Sequence, residues 1–429
     1  MSEFIVKGGK RLKGTIAVRG AKNHAAKVFP AALLFKEAIM VDNVPLVEDV
    51  LRSAELLTHT GGTTASHGRR WEINGAPLHH SVLKQDIAER IRTSILFAGP
   101  ILARKKKALF PHPGGCIIGK RPIDLFLDGW KAMGASVKQT PGGYALAAQS
   151  LAGIDYTFRV PSHTATEGLM MTAVLARGRT ILRNAACEVE IKALADMLIQ
   201  GGARIKGAGT PTIIIEGRDG SLLSRARISI IPDRLEAGNL AILGALLGDP
   251  LTITHCNPDH LDVLLAHLSY VGAAITKGRS WIRIIRAPYL KPINIKTKEY
   301  PGFVTDYQAP FTVLLTQAKG QSLIFETIFD GRLSYIEDLN RMGARITLCD
   351  PHRAIVAGPT PLRARAMESP DLRAGLAFLF AALIAKGQSH IGNIYQIDRG
   401  HEKIDERLKA LGADIIRIND NKVESRASP

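Results

Sequence analysis

A short pattern recurs six times along this chain at an almost constant interval. In each copy, a helix-like segment carrying leucine or methionine near its end is followed by Gly-Gly or Gly-Ala and then by a β-rich run. The glycines that mark the copies are Gly61, Gly134, Gly202, Gly272, Gly343 and Gly412. Their spacings of 68 to 73 residues indicate a repeated structural unit. Each of these glycines is expected to end a helix in the left-handed conformation.

A second element lies between successive glycines: a polar cluster followed by a helix of small and apolar residues. The clusters begin at Lys22, Glu89, Ser162, Asp233, Asp306 and Asp371. Because these helices are apolar on nearly all sides, we expect them to be buried. The pattern therefore predicts that each unit contains one buried helix, one amphipathic helix and surrounding strands. This arrangement belongs to the α/β class, with sheets that enclose helices. At 429 residues, two domains of three units each are expected.

The chain is basic, with a formal net charge of +17. Such an excess fits a nucleic acid, an anionic surface or a phosphorylated substrate, and charge alone does not choose between them. The positive charge is dispersed, and we interpret the one dense run, at 104–107, as a solvated cap at the C-terminal end of a helix. Cations at helix starts are disfavoured unless an anion binds there, so Lys22, Arg92 and Arg373 indicate a bound anion.

The cysteines and the apolar runs indicate where in the cell the protein is expected. The four cysteines are too widely spaced for a zinc site or a redox pair, and no signal peptide precedes the first strand, so a reducing cytoplasm is expected. The apolar runs are interrupted or stop near roughly 15 residues, short of the length needed to cross a bilayer. We therefore expect no transmembrane segment.

A glycine-rich loop at 114–122 resembles the phosphate loop of nucleotide hydrolases only in part. Gly114 and the pair Gly119-Lys120 have the required spacing, but Arg121 stands where magnesium binding needs Ser or Thr. The loop places Cys116 beside Lys120 and Arg121, and cations of this kind activate a thiol. Cys116 is therefore a candidate acid, base or nucleophile, the alternative being an inert cysteine.

Six ordered motifs resemble the family of UDP-N-acetylglucosamine enolpyruvyl transferases, which are 1-carboxyvinyltransferases. The motifs are Ala21-Lys22-Asn23; Pro113-Gly114-Gly115-Cys116 with Arg121-Pro122-Ile123-Asp124-Leu125; Pro232-Asp233-Arg234-Leu235-Glu236-Ala237-Gly238; Tyr300-Pro301-Gly302-Phe303 with Thr305-Asp306-Tyr307-Gln308; Asp371-Leu372-Arg373-Ala374; and Ile397-Asp398-Arg399-Gly400. The resemblance implies a two-domain inside-out α/β barrel of six βαβαββ units. Residues 22–230 would form one lobe, and residues 1–21 with 231–429 the other, with the active site in the cleft between them.

The resemblance also implies a reaction. The enolpyruvyl group of phosphoenolpyruvate would pass to the 3′-hydroxyl of UDP-N-acetylglucosamine by addition and elimination, with release of phosphate. This is the first committed step of peptidoglycan synthesis. The implied partners are these two small molecules, with no metal or other cofactor, no nucleic acid and no membrane.

Residue roles follow from the same resemblance. Lys22, Arg121 and Arg399 would surround the phosphate and carboxylate of phosphoenolpyruvate, Asp306 would take the hydroxyl proton, and Cys116 would act as the general acid. The nucleotide sugar would contact Asn23, Arg92, Arg121, Pro122, Ile123, Asp124, Leu125, Ser162, Asp306 and Ile328. Asp371 and Arg373 match a polar pair near the reacting centre, and the sharing of the proton between Asp306 and Asp371 stays open. Asp371 could also be a simple N-cap.

Five positions depart from the family pattern: Phe126, Val160, His163, Thr164 and Pro310. They put the affinity for the nucleotide sugar in question more than the type of reaction. Two alternatives stay open at this point. The acceptor could be another hydroxyl compound, as in the shikimate-pathway enzyme, or the chain could be an idle paralogue that binds a polyanion.

Overall fold

Short strands alternate with helices along the whole chain, in a computed structural model that describes residues 2–114 and 122–419. The strands are β1 Glu3–Lys7, β2 Leu12–Ala17, β3 Ile39–Asp42, β4 Thr63–His67, β5 Arg70–Asn74, β6 Lys107–Phe110, β7 Ser136–Thr140, β8 Gly143–Ala147, β9 Asp155–Thr157, β10 Arg179–Arg183, β11 Arg204–Lys206, β12 Thr212–Glu216, β13 Arg227–Ser229, β14 Gly248–Thr254, β15 Ala274–Lys277, β16 Trp281–Ile285, β17 Ile295–Lys296, β18 Gly320–Phe325, β19 Arg345–Asp350, β20 Arg353–Gly358, β21 Ala366–Glu368, β22 Gln388–Gly392 and β23 Asp414–Ile418.

The helices include long buried ones and shorter amphipathic ones. They are α1 Lys22–Ala32, α2 Glu48–His59, α3 Gln85–Ala88, α4 Ala98–Lys105, α5 Asp124–Ala132, α6 His163–Val174, α7 Val189–Gln200, α8 Arg234–Leu247, α9 Asp262–Tyr270, α10 Gln308–Leu315, α11 Ile336–Arg341, α12 Leu372–Ile384, α13 Tyr395–Asp398 and α14 Ile404–Lys409. Segments of 3₁₀ helix span Arg92–Phe97, Pro258–Leu261 and Thr305–Tyr307.

The described residues divide into two units, each with its own hydrophobic core. The first unit comprises residues 20–114 and 122–231, and the second comprises 2–19 and 232–419. In the described part of each unit, the strands form three sheets. The fold is the inside-out α/β barrel of six βαβαββ units that the family resemblance implies.

The fifth repeat displays the βαβαββ order without interruption. The strand β17 leads through α10 to β18, and α11 then leads to the hairpin of β19 and β20. In the sheet, β17 pairs parallel with β18, which pairs antiparallel with β20, and β19 lies at the edge. The same order, one parallel pair followed by two antiparallel pairs, recurs in four other sheets.

Distant segments complete three of the repeats. The strand β2 pairs parallel with β14 and is the leading strand of the fourth repeat. In the first unit, β13 pairs with β3 and supplies the leading strand of the first repeat, although it comes last in that unit. In the second unit, the N-terminal strand β1 lies between β22 and β23 and takes the place of the final strand of the sixth repeat. The side chains of Phe4 and Val6 on β1 are fully buried in the core.

The apolar helices lie inside each unit, as their composition predicts. In the second unit, α10 packs against both α8 and α12, and in the first unit α4 packs against α6. Nearly every residue of α8 and α12 is buried. Each buried helix begins at a polar cluster that the sequence singles out, so the repeats bring several helix starts into each unit.

The six glycines of the repeat all adopt the expected left-handed conformation. Their φ angles lie between 98° and 110°, and each follows an amphipathic helix. Only glycine adopts such angles without strain, because a Cβ would collide with the backbone. The repeated Gly-Gly or Gly-Ala pattern therefore marks the turn from helix to strand in every unit.

The basic run at 104–107 ends a helix but is not wholly solvated. Lys105 is the last residue of α4, and Lys106 adopts a left-handed conformation at its end. Arg104, however, donates three hydrogen bonds to backbone carbonyls, those of Leu33, Gly75 and Ala76, at 2.8–3.0 Å. The expectation of a solvated cap is therefore wrong for Arg104, which holds the end of α4 to neighbouring segments.

None of the helices in the described ranges has the length and apolar character required to cross a membrane.

Candidate active site

Two carboxylates and two arginines cluster at the starts of buried helices in the second unit. The Nε of Arg373 donates to Oδ1 of Asp306 at 2.6 Å. A second arginine, Arg332, reaches both acids: its Nη2 lies 3.5 Å from Oδ1 of Asp306, and its Nη1 lies 3.9 Å from Oδ1 of Asp371. The site therefore alternates negative and positive groups, and all four residues belong to one connected network.

The repeat explains why these side chains meet. Asp371 is the N-cap of α12, where its Oδ1 accepts hydrogen bonds from the backbone N–H groups of Arg373 at 2.8 Å and Ala374 at 3.3 Å. Asp306 lies in the 3₁₀ segment that leads into α10. Since α10 and α12 are neighbouring buried helices of equivalent repeats, their polar starts lie side by side.

Arg332 is fixed from several sides. Its side chain is only 4% exposed, its Nε donates to the hydroxyl of Thr305 at 3.2 Å, and its guanidinium lies 5.1 Å from the centre of the Phe329 ring. The Thr305 hydroxyl in turn donates to Oε2 of the buried Glu326 at 2.8 Å. A guanidinium held in this way presents its charge in one orientation.

Glu326 also orders the loop that carries a predicted sugar contact. Its Oε1 accepts hydrogen bonds from the backbone N–H groups of Ile328 at 2.8 Å and Phe329 at 3.2 Å. The half-buried side chain of Ile328 is thereby anchored close in sequence to Arg332.

Burial would by itself raise the pKa of the Asp306 carboxyl, but the positive surroundings outweigh burial. The charges of Arg373 and Arg332, the hydrogen bond from Arg373 and the charge of Arg234 together hold the pKa of Asp306 well below its usual range. Asp306 is therefore ionised at neutral pH and can accept a hydrogen bond or a proton, but it cannot donate one.

Arg399 lies at the same end of the second unit. It follows the last residue of α13, its side chain is buried, and its Nη1 donates to Oε1 of Gln396 at 3.2 Å. The next residue, Gly400, packs so closely on Leu372 that a Cβ there would lie 2.8 Å from a methyl carbon of that leucine. The residue that follows Arg399 therefore packs on the first residue of α12, the helix that Asp371 caps.

In the first unit, predicted substrate ligands lie at helix starts. Lys22 begins α1, with Asn23 next to it, and its Nζ lies 3.0 Å from a carboxylate oxygen of Asp49 on α2. Arg92 begins a 3₁₀ segment and donates from Nη2 to the carbonyl of Pro122 at 3.1 Å.

Further predicted ligands surround the starts of α5 and α6. Ile123 precedes α5, Asp124 begins that helix and forms an ion pair with Arg159, and the carbonyl of Leu125 accepts a hydrogen bond from Tyr156 at 3.3 Å. Ser162 caps α6, its hydroxyl accepting from the N–H of Ala165 at 3.3 Å.

Two of the predicted site residues, Cys116 and Arg121, lie outside the described residues. Among the residues that are described, no group of three or more histidine, cysteine or acidic side chains could hold a metal ion.

The other predicted ligands are divided between the two units. Lys22, Asn23, Arg92, Pro122, Ile123, Asp124, Leu125 and Ser162 belong to the first, and Asp306, Ile328, Asp371, Arg373 and Arg399 to the second.

A family model described as EPSP synthase (3-phosphoshikimate 1-carboxyvinyltransferase) matches residues 6–408. The chain is 42% identical over 423 residues to a UDP-N-acetylglucosamine 1-carboxyvinyltransferase of Acidobacterium capsulatum, covering 97% of this chain and 96% of that protein. A protein with the same name from Desulfosudis oleivorans is 41% identical over 418 residues, which cover 97% of this chain and all of that protein. This chain belongs to the EPSP synthase family of enolpyruvyl transferases.

Solved structures share the fold of this enolpyruvyl transferase. The enolpyruvyl transferase NikO from Streptomyces tendae superposes with a TM-score of 0.87 at 24% identity, covering 97% of this chain and 98% of that one. An EPSP synthase from Acinetobacter baumannii superposes with a TM-score of 0.76 at 19% identity, covering 98% of this chain and 100% of that one. At these identities the similarity concerns the fold.

Sequence reasoning missed Arg332, the residue that links the two acids of this transferase. The only available signal was an arginine four positions after Ile328, next to a glycine, and an isolated arginine in a polar loop is ordinarily a surface residue. Its burial depends on Thr305 and Asp306, which are more than 20 residues away in the chain. Local patterns do not contain that information.

The positions that depart from the family pattern have different surroundings. Phe126 is buried against Trp130, with ring centres 5.6 Å apart, and Pro310 lies in the first turn of α10. Val160 is exposed, and Thr164 is half-buried on α6. His163, the first residue of α6, contacts buried charged groups.

The capping role of Asp371 gives a stability prediction. Asp371→Ala should lower the free energy of unfolding by about 1 kcal/mol more than Asp371→Asn does, because asparagine retains the capping oxygen and alanine does not. Urea titrations of both variants measure this difference. The exposed Asp330 serves as control, since its alanine and asparagine variants should not differ measurably. Equal destabilisation by the two Asp371 variants would show that the charge matters and the cap does not.

Proposed function

We propose that this chain transfers the enolpyruvyl group of phosphoenolpyruvate to the 3′-hydroxyl of UDP-N-acetylglucosamine, releasing phosphate, in the first committed step of peptidoglycan synthesis. The observation that carries the proposal is the identity of about 40% over nearly the whole chain to proteins that bear this activity in their names. The ionised Asp306 between two arginines adds support, because the reaction needs a proton acceptor beside anionic substrates.

In the first step, the 3′-hydroxyl oxygen attacks C2 of phosphoenolpyruvate. We assign Asp306 as the acceptor of the hydroxyl proton, while Cys116 delivers a proton to C3, which gives a tetrahedral adduct that still carries the phosphate. Without bound substrates, the neighbouring arginines make Asp306 a weak base. Bound anionic substrates offset the arginine charge, so its proton affinity rises when the substrates are present.

In the second step, the thiolate that Cys116 becomes in the first step takes a proton from C3, the bond between C2 and the phosphate oxygen breaks, and inorganic phosphate leaves as the double bond forms again. Lys22, Arg121 and Arg399 are the cations proposed to hold the phosphate and carboxylate. Preorganised cations stabilise the charge that grows on the departing phosphate. We assign Asp371 the role of holding Arg332 and the start of α12, so the proton transfer falls to Asp306.

The direct test is to mix the purified protein with phosphoenolpyruvate and each of two acceptors and to measure released phosphate. We expect release with UDP-N-acetylglucosamine and none with 3-phosphoshikimate, the substrate named for the matching family model. Release with 3-phosphoshikimate alone would overturn the choice of acceptor. No release with either acceptor, together with tight and strongly salt-dependent binding of nucleic acid, would instead favour an idle polyanion-binding paralogue.

The proposed role of Cys116 makes a separate prediction. A reactive thiol in the substrate site should be alkylated by the epoxide fosfomycin, and mass spectrometry should place the adduct on the peptide that contains Cys116. The buried Cys256 is the internal control, because burial raises the pKa of its thiol to about 11 and keeps it protonated. An active enzyme with no adduct on Cys116 would contradict the assignment.

A further inference from the structure

Four ionisable side chains cluster in the first unit, where α1 meets α6, and three of them are buried. His24 and Lys27 come from α1, and His163 and Glu167 come from α6. Lys27 is 1% exposed and Glu167 is fully buried, whereas the His163 side chain is 24% exposed. Burying charged groups is costly unless they compensate one another, so such a cluster requires an explanation.

Three of these groups converge on a single point. The Nζ of Lys27 lies 2.6 Å from Oε1 of Glu167, and the Nε2 of His163 lies 3.2 Å from the same oxygen. The same Nε2 also contacts Nζ of Lys27. An imidazole nitrogen either accepts a hydrogen bond or carries a proton and donates one, but it does not do both.

The contacts therefore define two states that differ by one proton. With neutral His163, the proton lies on Nδ1, and Nε2 accepts from the Lys27 ammonium group. With protonated His163, Nε2–H donates to Glu167, and the cluster gains one positive charge. Oε1 of Glu167 lies within ion-pair distance of His163 Nε2, so the carboxylate can accept a hydrogen bond from protonated His163.

The surroundings favour the protonated state of His163. Burial lowers the pKa of His163 and the Lys27 charge opposes protonation, but Glu167, with a smaller effect from Glu188, raises the pKa overall. His24 does not compete for the proton. Burial and the charge of Lys27 hold its pKa near 4 despite Glu190, Glu167 and Asp196 on the facing elements.

We propose that the Lys27–Glu167–His163 cluster couples nucleotide-sugar binding to the uptake of a proton by His163. The inference rests on the proposed function, and on the predicted contact between Ser162 and UDP-N-acetylglucosamine, whose diphosphate is anionic. His163 directly follows Ser162 at the start of α6, and its side chain is 24% exposed while its Nε2 contacts the buried Lys27 and Glu167. The extra positive charge therefore arises next to a helix start that already favours anions.

Thermodynamic linkage makes the coupling reciprocal. A bound diphosphate stabilises the imidazolium and raises its proton affinity, so protonated His163 must strengthen binding of the diphosphate by the same factor. The nucleotide sugar itself does not change charge between about pH 6 and pH 8, the range in which an imidazole titrates. Any proton taken up on binding in this range therefore comes to a group on the protein.

Calorimetry in buffers of different ionisation enthalpy measures this proton directly. At about pH 8, binding of UDP-N-acetylglucosamine to the full chain should take up a substantial fraction of a proton, and the affinity should fall roughly tenfold from about pH 6 to about pH 8. His163→Val should bind more weakly at pH 6 and should lose both the uptake and the pH dependence. His67→Val, which removes an exposed histidine on β4, should behave as the wild type.

A second variant tests the competition inside the cluster. Lys27→Met removes the donor that favours neutral His163, so the imidazole should already be protonated before the ligand arrives. Proton uptake at about pH 8 should then shrink. Unchanged uptake in either His163→Val or Lys27→Met would overturn the proposal. Wild-type binding without any proton uptake would do so as well and would leave the proposed function intact, whereas absence of binding would overturn both.

Discussion

Asp306→Asn should lower the turnover of phosphate release by about 10² to 10⁴-fold at saturating concentrations of both substrates. This range is the usual contribution of a general base, and an amide cannot accept the hydroxyl proton. Asparagine retains the size of the side chain and an oxygen for the hydrogen bond from Arg373, so the KM for either substrate should change much less than turnover. Steady-state kinetics with a coupled phosphate assay provides both parameters.

Two matched variants sharpen the Asp306 experiment. Asp371→Asn keeps the cap of α12 and removes a carboxylate on the same network, so it should reduce turnover far less if Asp306 alone handles the proton. Asp330→Asn, on an exposed loop, should leave turnover unchanged. A larger loss in Asp371→Asn than in Asp306→Asn would reverse the assignment of the base.

Replacement of Arg332 by methionine should destabilise the protein by about 3–5 kcal/mol, the cost of removing one partner from a buried ionic network. Asp306 and Asp371 would lose a shared counter-charge, and Thr305 would lose a hydrogen-bond donor. Without Arg332, the pKa of Asp306 should rise toward its usual range. Denaturant unfolding monitored by circular dichroism measures the free energy.

The pH dependence of this variant has a defined sign. A carboxyl group whose pKa is lowered by folding stabilises the protein above its unfolded pKa, and this contribution disappears as the pH falls through the folded value. The difference in stability between wild type and Arg332→Met should therefore be largest at neutral pH and should shrink in strong acid. A difference that is independent of pH would show that Arg332 acts through packing alone.

An exposed arginine provides the control for Arg332→Met. Arg341 on α11 also faces two acids, Glu337 and Asp338, but its side chain is 58% exposed. Exposed ion pairs contribute little, so Arg341→Met should change the free energy of unfolding by less than about 1 kcal/mol. Equal losses in the two variants would mean that burial of Arg332 has no energetic significance.

The sequence predicts the fold well because the features that define each repeat depend on residues that are close together in the chain. A glycine such as Gly134 or Gly343 ends a helix through its own backbone freedom, and a helix such as α8 is buried because its own residues are apolar. Such information lies within a few neighbouring residues. The sequence therefore locates the starts of α1, α6, α8 and α12 within one residue, whereas 3₁₀ segments separate the polar clusters at Glu89 and Asp306 from α4 and α10.

The contacts inside the site could not be predicted in the same way. Arg332 contacts Asp306 and Asp371 only because two repeats pack side by side, and Lys27 contacts Glu167 across two helices that lie more than 100 residues apart in the chain. A motif indicates which residue carries a charge, but the partner that sets its pKa comes from tertiary packing. The assignments of Lys22, Arg373 and Arg399 to individual substrate groups stay predictions.

The position of β1 has a consequence for synthesis of the protein on the ribosome. Residues Glu3–Lys7 pair with β22 and β23, which are made almost 400 residues later, whereas the sheets of the first unit are complete once β13 has emerged. The first unit can therefore fold while translation continues, since N-terminal units generally fold first. β1 must therefore stay unpaired until β22 and β23 have been made, so the sheet that it joins closes long after the sheets of the first unit.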